Sequence, residues 1–161
     1  MARLTAQEAG SANILAFLDT IAHSEIGDAL LLATDDGYNV LVGSSPQKPL
    51  TFTDYSHHPR VLNKKLDSTA AGRYQIIWPT WSWLLSSKGY MDFKPETQDY
   101  ACIELIKGRN AYDAVANGDV ELGLHLCRSE WASLPGAGYG QHEQKLGNLL
   151  AYYVGALGRY T

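Results

Sequence analysis

The sequence predicts an α+β domain, mostly helical, with a small antiparallel β region inserted after the first helix. Three observations predict it. Apolar residues recur at helical spacing near the amino terminus and again through most of the second half. Between these stretches, Gly37 to Tyr55 holds β-formers punctuated by glycine, serine and proline. Finally, the 161 residues are 45% hydrophobic and 19% charged, the size and balance of one globular domain rather than of a disordered chain. Residues 1–161 are accordingly read as a single domain.

The first helix is expected from about Ser11. Ile14, Leu15, Leu18, Ile21 and Ala22 recur at i, i+3, i+4 spacing, and the same stripe reaches Glu25 before Gly27 breaks it. In the β region, Val40 and Val42 precede Thr51, Phe52 and Thr53, with Gly43, Ser44, Ser45, Pro46 and Pro49 between them and His57-His58-Pro59 at the end. Ile76 to Ser87 carries three tryptophans, with Pro79 near a helix start. Lys94-Pro95-Glu96 opens another helix, since proline and a first-turn acid suit an N-terminus. A short helix from Ala111 to Ala116 ends at Asn117-Gly118. Val120, Leu124, Cys127 and Trp131 then mark one buried helical face, and Leu146, Leu149, Leu150, Tyr153, Val154 and Leu157 mark the last.

Composition narrows the function. The net charge is −4 and no basic block is longer than Lys64-Lys65, which argues against nucleic acid as a partner, because such binding rests on clustered cations. No segment approaches the ~18 uninterrupted apolar residues of a membrane helix. Met1 to Glu8 lacks the apolar core of a secretory signal, so a soluble protein made in the cytoplasm is expected. Cys102 and Cys127 are too few for a disulfide framework or a zinc cage, and both are expected buried and reduced. Asp54, His57 and His58 lack metal-ligand spacing, so no metal or other cofactor is expected. The four tryptophans and ten tyrosines suit a sugar-binding cleft and equally suit a core.

Glu25 is the main chemical candidate. A carboxyl at the C-terminal end of an apolar helix face is disfavoured in its charged form by burial and by the helix dipole. A free glutamate is protonated about one time in 500 at pH 7, whereas a pKa of ~6 makes that about one in 11. Exposure at a frayed helix end, or pairing with a cation, would explain the residue as well. Ser68 to Gln75 offers small residues with a ring, a hydroxyl and an amide, suited to a neutral polar ligand or simply to a tight turn. Gly136-Ala137-Gly138-Tyr139-Gly140 follows a helix, so it is no dinucleotide fingerprint; it reads as a loop or as a cleft wall carrying Tyr139. No Gly-x-Ser-x-Gly elbow supports a nucleophilic serine.

Several blocks occur together and in order: Ser24-Glu25, Gly37-Tyr38, Phe52-Thr53-Asp54-Tyr55-Ser56, His58-Pro59-Arg60, Ala71-Gly72-Arg73-Tyr74-Gln75, and Trp131 through Gln141. Together they resemble the phage lambda lysozyme family across about Ile14 to Lys145. The resemblance implies a lysozyme-like fold and an endolysin acting as a lytic transglycosylase on peptidoglycan, at the β-1,4 bond between N-acetylmuramic acid and N-acetylglucosamine. It implies that Glu25 first protonates the leaving oxygen and then takes the proton of the muramic C6 hydroxyl, which closes a 1,6-anhydro ring. An internal hydroxyl nucleophile removes the need for the second carboxylate of ordinary glycosidases. A water-using muramidase and an inactive glycan-binding relative are the alternatives. Tyr38, Tyr55, Ser68, Tyr74, Gln75 and Tyr139 are the expected glycan-binding residues. Two departures stand out: the family has Asp where this chain has Asn39, and Trp where it has His23. The same resemblance implies a monomer released from the host cytoplasm to the wall by a holin, without stable membrane insertion.

Overall fold

A computed structural model describes residues 1–161, which divide into two compact units. One comprises Met1–Glu25 with Asp99–Thr161, the other Ile26–Gln98. Eight helices run along the chain: α1 (Ala6–Ala9), α2 (Ala12–Ile26), α3 (Asp28–Ala33), α4 (Trp78–Lys88), α5 (Pro95–Gly108), α6 (Tyr112–Ala116), α7 (Val120–Cys127) and α8 (Leu146–Leu157). None is long and apolar enough to cross a membrane.

The first unit is built on α2, whose Ile14, Leu15, Phe17, Leu18, Ile21 and Ala22 are buried completely or nearly so. Two short helices escaped the periodicity reading. The first, α1, is started by Thr5, whose side chain accepts from Glu8 N–H while Glu8 reaches back to Thr5 N–H, a reciprocal cap that starts a single turn. The second, α3, occupies the apolar run Ala29–Ala33 and belongs to the other unit. At Gly123 a β-carbon would stand 2.6 Å from Val115 and 3.2 Å from Phe17, so glycine lets α7 approach α6 and α2. Cys102 and Cys127 are buried and outside any disulfide, as expected, and burial pushes the Cys127 thiol up to about 12. Two boundaries differ from the periodicity. α7 stops at Cys127, so the buried Trp131 belongs to the following turn. In α8 the buried residues are Leu149, Tyr153 and Ala156, while Val154 is 69% exposed.

In the second unit the expected antiparallel β region does not form strands. Pairing is limited to single antiparallel bridges, Val40 with Thr51, Leu41 with Ala71, Ser45 with Lys48, Asn63 with Ser68 and Ala71 with Ile76. The reason is local. Pro46, Pro49 and Pro59 bring no amide hydrogen, and Gly43, Arg60, Asp67, Gly72 and Gln75 take left-handed backbone conformations that interrupt a ladder.

Side chains supply the missing connections. Gln98, 1% exposed, donates its amide to the carbonyls of Tyr38 (3.0 Å) and Phe93 (2.9 Å) and accepts from Arg73 N–H (3.0 Å). A β-carbon on Gly72 would fall 2.2 Å from the Gln98 carbonyl oxygen, and φ there is +79°. Only glycine fits that crossing. Phe93 packs edge-on against Trp81 at 4.6 Å and against His58 at 4.9 Å, giving this unit an aromatic core.

Candidate active site

Glu25 is the penultimate residue of α2, half-buried at the end of its apolar face. Loss of water around the carboxyl raises its pKa above the ordinary glutamate value, against two opposing hydrogen bonds from Ser133. The Ser133 hydroxyl donates to Glu25 Oε1 at 2.5 Å and its amide lies 3.4 Å from the same oxygen. Ser133 Oγ is also 2.7 Å from Ser24 Oγ. With the single Ser133 hydroxyl hydrogen given to an ionised Glu25, Ser24 must donate to Ser133. The three side chains thus form a short relay that fixes one carboxylate oxygen and leaves Oε2 for chemistry.

Ser133 is held in turn by its own loop. Its carbonyl accepts from Gln144 N–H at 2.8 Å. The Glu143 carboxylate takes Gly136 N–H on one oxygen and Gly138 N–H on the other, at 2.8 and 2.9 Å. Neither Ser133 nor Glu143 was predicted from sequence. Ser133 lies inside the Trp131–Gln141 block, but its partner is 108 positions away and no spacing rule links the two.

Replacing Ser133 with alanine removes a donor that favours the charged carboxylate, so the Glu25 pKa rises further. For any reaction that uses Glu25 as acid, the alkaline limb of kcat/KM for Ser133→Ala is expected at higher pH than in the parent, with lower peak activity. Ser133→Thr should restore the limb. A limb that stays in place would separate Ser133 from the titration of Glu25.

The other expected site residues fall into three groups. Tyr139, on the Ser133 loop, is 57% exposed and its hydroxyl donates to Ser129 O at 2.8 Å, which leaves a ring face open. Tyr55, Ser68 and Gln75 are half-buried in the second unit. The Tyr55 hydroxyl donates to Asp35 at 2.6 Å, Ser68 Oγ accepts from Ala70 N–H at 3.1 Å, and Gln75 Nε2 donates to Gly72 O at 2.8 Å. Tyr38 and Tyr74 are 0% exposed. This departs from the expectation of rings open to a glycan: neither ring is accessible, and the Arg73 guanidinium lies 5.2 Å from the Tyr38 ring centre. Asn39 Oδ1 accepts from Asp35 N–H at 3.0 Å, so the amide serves the turn. His23 stacks on Tyr152 at 3.9 Å, one aromatic surface substituting for another.

Comparison with known proteins decides the family. Residues 15–160 match the endolysin family, and the endolysin of Escherichia phage lambda is 44% identical over 147 residues, covering 89% of this chain and 90% of that one. The chain belongs to the endolysin family. The endolysin of Escherichia phage P2 is 42% identical over 149 residues, covering 88% of this chain and 90% of its own. Among solved structures, bacteriophage lambda lysozyme complexed with a chitohexasaccharide superposes with a TM-score of 0.82 at 40% identity, over 91% of this endolysin and 94% of that chain. A second structure of lysozyme from bacteriophage lambda gives 0.78 with the same coverage. The endolysin fold here is therefore lysozyme-like.

Proposed function

We propose that this endolysin cleaves the β-1,4 bond between N-acetylmuramic acid and N-acetylglucosamine in peptidoglycan by lytic transglycosylation. The observation that carries the reading is Glu25: one desolvated carboxyl, held on one oxygen by Ser133 and raised in pKa by burial. Such a group can retain a proton near neutrality and deliver it to a leaving glycosidic oxygen. As the C1–O bond breaks, the muramic C6 hydroxyl attacks C1 and passes its proton to the newly formed carboxylate. The products are an N-acetylglucosamine hydroxyl and a 1,6-anhydromuramic end. Water is not consumed, and Glu25 returns to its protonated state.

Two acids of the second unit are held by partners within it. Asp35 is engaged by the Tyr55 hydroxyl and Asp36 by Arg73 at 2.8 Å, both structural bonds. Asn39 replaces an acid that the family pattern carries, and its amide holds the turn instead. Tyr55, Ser68, Gln75 and the exposed ring of Tyr139 are proposed as glycan contacts, through ring stacking and hydrogen bonds to N-acetyl groups. The chitohexasaccharide carried by the lambda lysozyme structure supports a glycan ligand. Holin-dependent release to the wall and action as a monomer complete the proposal.

Mass spectrometry of a peptidoglycan digest tests the reaction type. Released fragments should carry 1,6-anhydromuramic ends. Fragments one water heavier, with reducing muramic ends, would instead establish a hydrolase using a second carboxylate as base or nucleophile.

A further inference from the structure

The second unit contains a cavity of about 280 Å³ bordered by His57, His58, Arg60, Trp78, Trp81 and Asp92. Leu85 and Met91 complete its chiefly apolar wall, and Met91 is 89% exposed at the mouth. The polar groups there are unevenly satisfied. Asp92 accepts from the Thr97 hydroxyl at 2.5 Å and pairs with Lys94 at 3.5 Å, and His57 lies 3.6 Å from Asp54. Arg60 has no carboxylate partner. Its guanidinium lies over Trp78, 3.9 Å from the ring centre.

The placement of Arg60 is built rather than incidental. Its φ is +54°, a conformation uncommon for any residue with a side chain. His58, 1% exposed, holds it: one ring nitrogen is 2.8 Å from Ile76 O and the other accepts Arg60 N–H at 3.1 Å. Donating at Nε2 and accepting at Nδ1 makes this imidazole the neutral tautomer, in keeping with burial pulling its pKa below the ordinary histidine value. A buried strut thus fixes a strained backbone, which fixes a cation on an indole face at the edge of an apolar hollow. Backbone strain of this kind persists where surrounding structure enforces it, and it gathers at ligand sites.

We infer that this cavity is a binding site for a small aliphatic carboxylate, such as the alanine-like C-terminus of a short peptide. The planar fork of Arg60 would hold the carboxylate with two hydrogen bonds, and the alkyl group would lie against Trp81, Leu85 and Met91. Stacking on Trp78 leaves the guanidinium edge free and already oriented, so little rotamer freedom is lost on binding. A monoanion suits this place better than a phosphate dianion, because the apolar wall penalises each charge taken from water. The site lies wholly within the second unit and does not depend on the glycan chemistry assigned to Glu25.

Titration of the full chain with acetyl-alanyl-alanine, followed by the indole N–H signals in ¹H–¹⁵N NMR spectra, tests the inference. Saturable shifts of Trp78 and Trp81 are expected with a dissociation constant on the order of millimolar. The C-terminal amide of the same peptide should bind at least about tenfold more weakly, since it lacks the charge-assisted pair. Arg60→Gln should weaken binding of the acid to the level of the amide, and Arg60→Lys should fall between. Isobutyrate separates the sources: binding as tight as the peptide assigns the site to free short-chain acids, and weaker binding assigns it to peptide C-termini. Equal binding of acid and amide, or no saturable shift with any of the three probes, overturns the inference.

Discussion

Glu25→Gln is expected to slow wall clearing by about 10²–10⁴-fold, the usual contribution of a positioned acid–base group, while glycan binding persists. The amide keeps the size of the carboxyl and can still meet Ser133, so the loss isolates proton transfer. Clearing by the variant at the parent rate would remove Glu25 from the reaction. The same substitution should make the protein more stable at neutral and alkaline pH. Glu25 has its folded pKa raised by burial, so the folded state binds more protons than the unfolded state between the two values. Stability then falls as pH rises through that window, because unfolding rehydrates the charge. Glutamine carries no such cost. Thermal unfolding should show the variant above the parent at pH 8, with the two converging as the pH drops below the ordinary glutamate value. Equal stability at both pH values would mean that the carboxyl is no harder to ionise in the folded chain.

Gln98→Leu should be the most damaging of these substitutions to stability. The leucine side chain has nearly the same volume but can neither donate to the Tyr38 and Phe93 carbonyls nor accept from Arg73 N–H. Each buried backbone group left unsatisfied costs about 1–3 kcal/mol, so a loss of at least about 3 kcal/mol is expected. At about 2–4 °C per kcal/mol for a chain of this size, that is a fall in Tm of about 6 °C or more. Differential scanning calorimetry reads it directly. A change of less than about 2 °C would show that these backbone groups find other partners.

The legible part of the molecule was the part written in local periodicity. The α2 stripe from Ile14 to Ala22 led straight to Glu25, and Pro79, Pro95 and Glu96 marked the starts of α4 and α5. Glu25 itself became persuasive only with the family resemblance, because periodicity alone does not distinguish a buried helix end from a frayed one. The relay through Ser133 and the hub at Gln98 were illegible for one shared reason. Each joins groups far apart in the chain, 108 positions for Glu25 and Ser133 and 60 for Tyr38 and Gln98. A polar residue on an amphipathic helix looks solvated until its partners are known. The β reading met a different limit: its antiparallel pairs form, but only as single bridges. Val40, Thr51 and Phe52 have strand character, but prolines and left-handed residues cut each pairing to one rung. In α8 the six-residue stripe was wider than the face the fold buries, which left Val154 outside.

The single-rung pairing of the second unit also bears on behaviour between molecules. A long, flat strand at the margin of a sheet offers a row of amides and carbonyls on which another copy can grow, the usual seed of fibrils. Here each pair is followed by a turn or a left-handed residue, so a neighbouring chain meets no template to extend. A region rich in aromatic and β-branched residues is thereby protected from self-association by its irregularity.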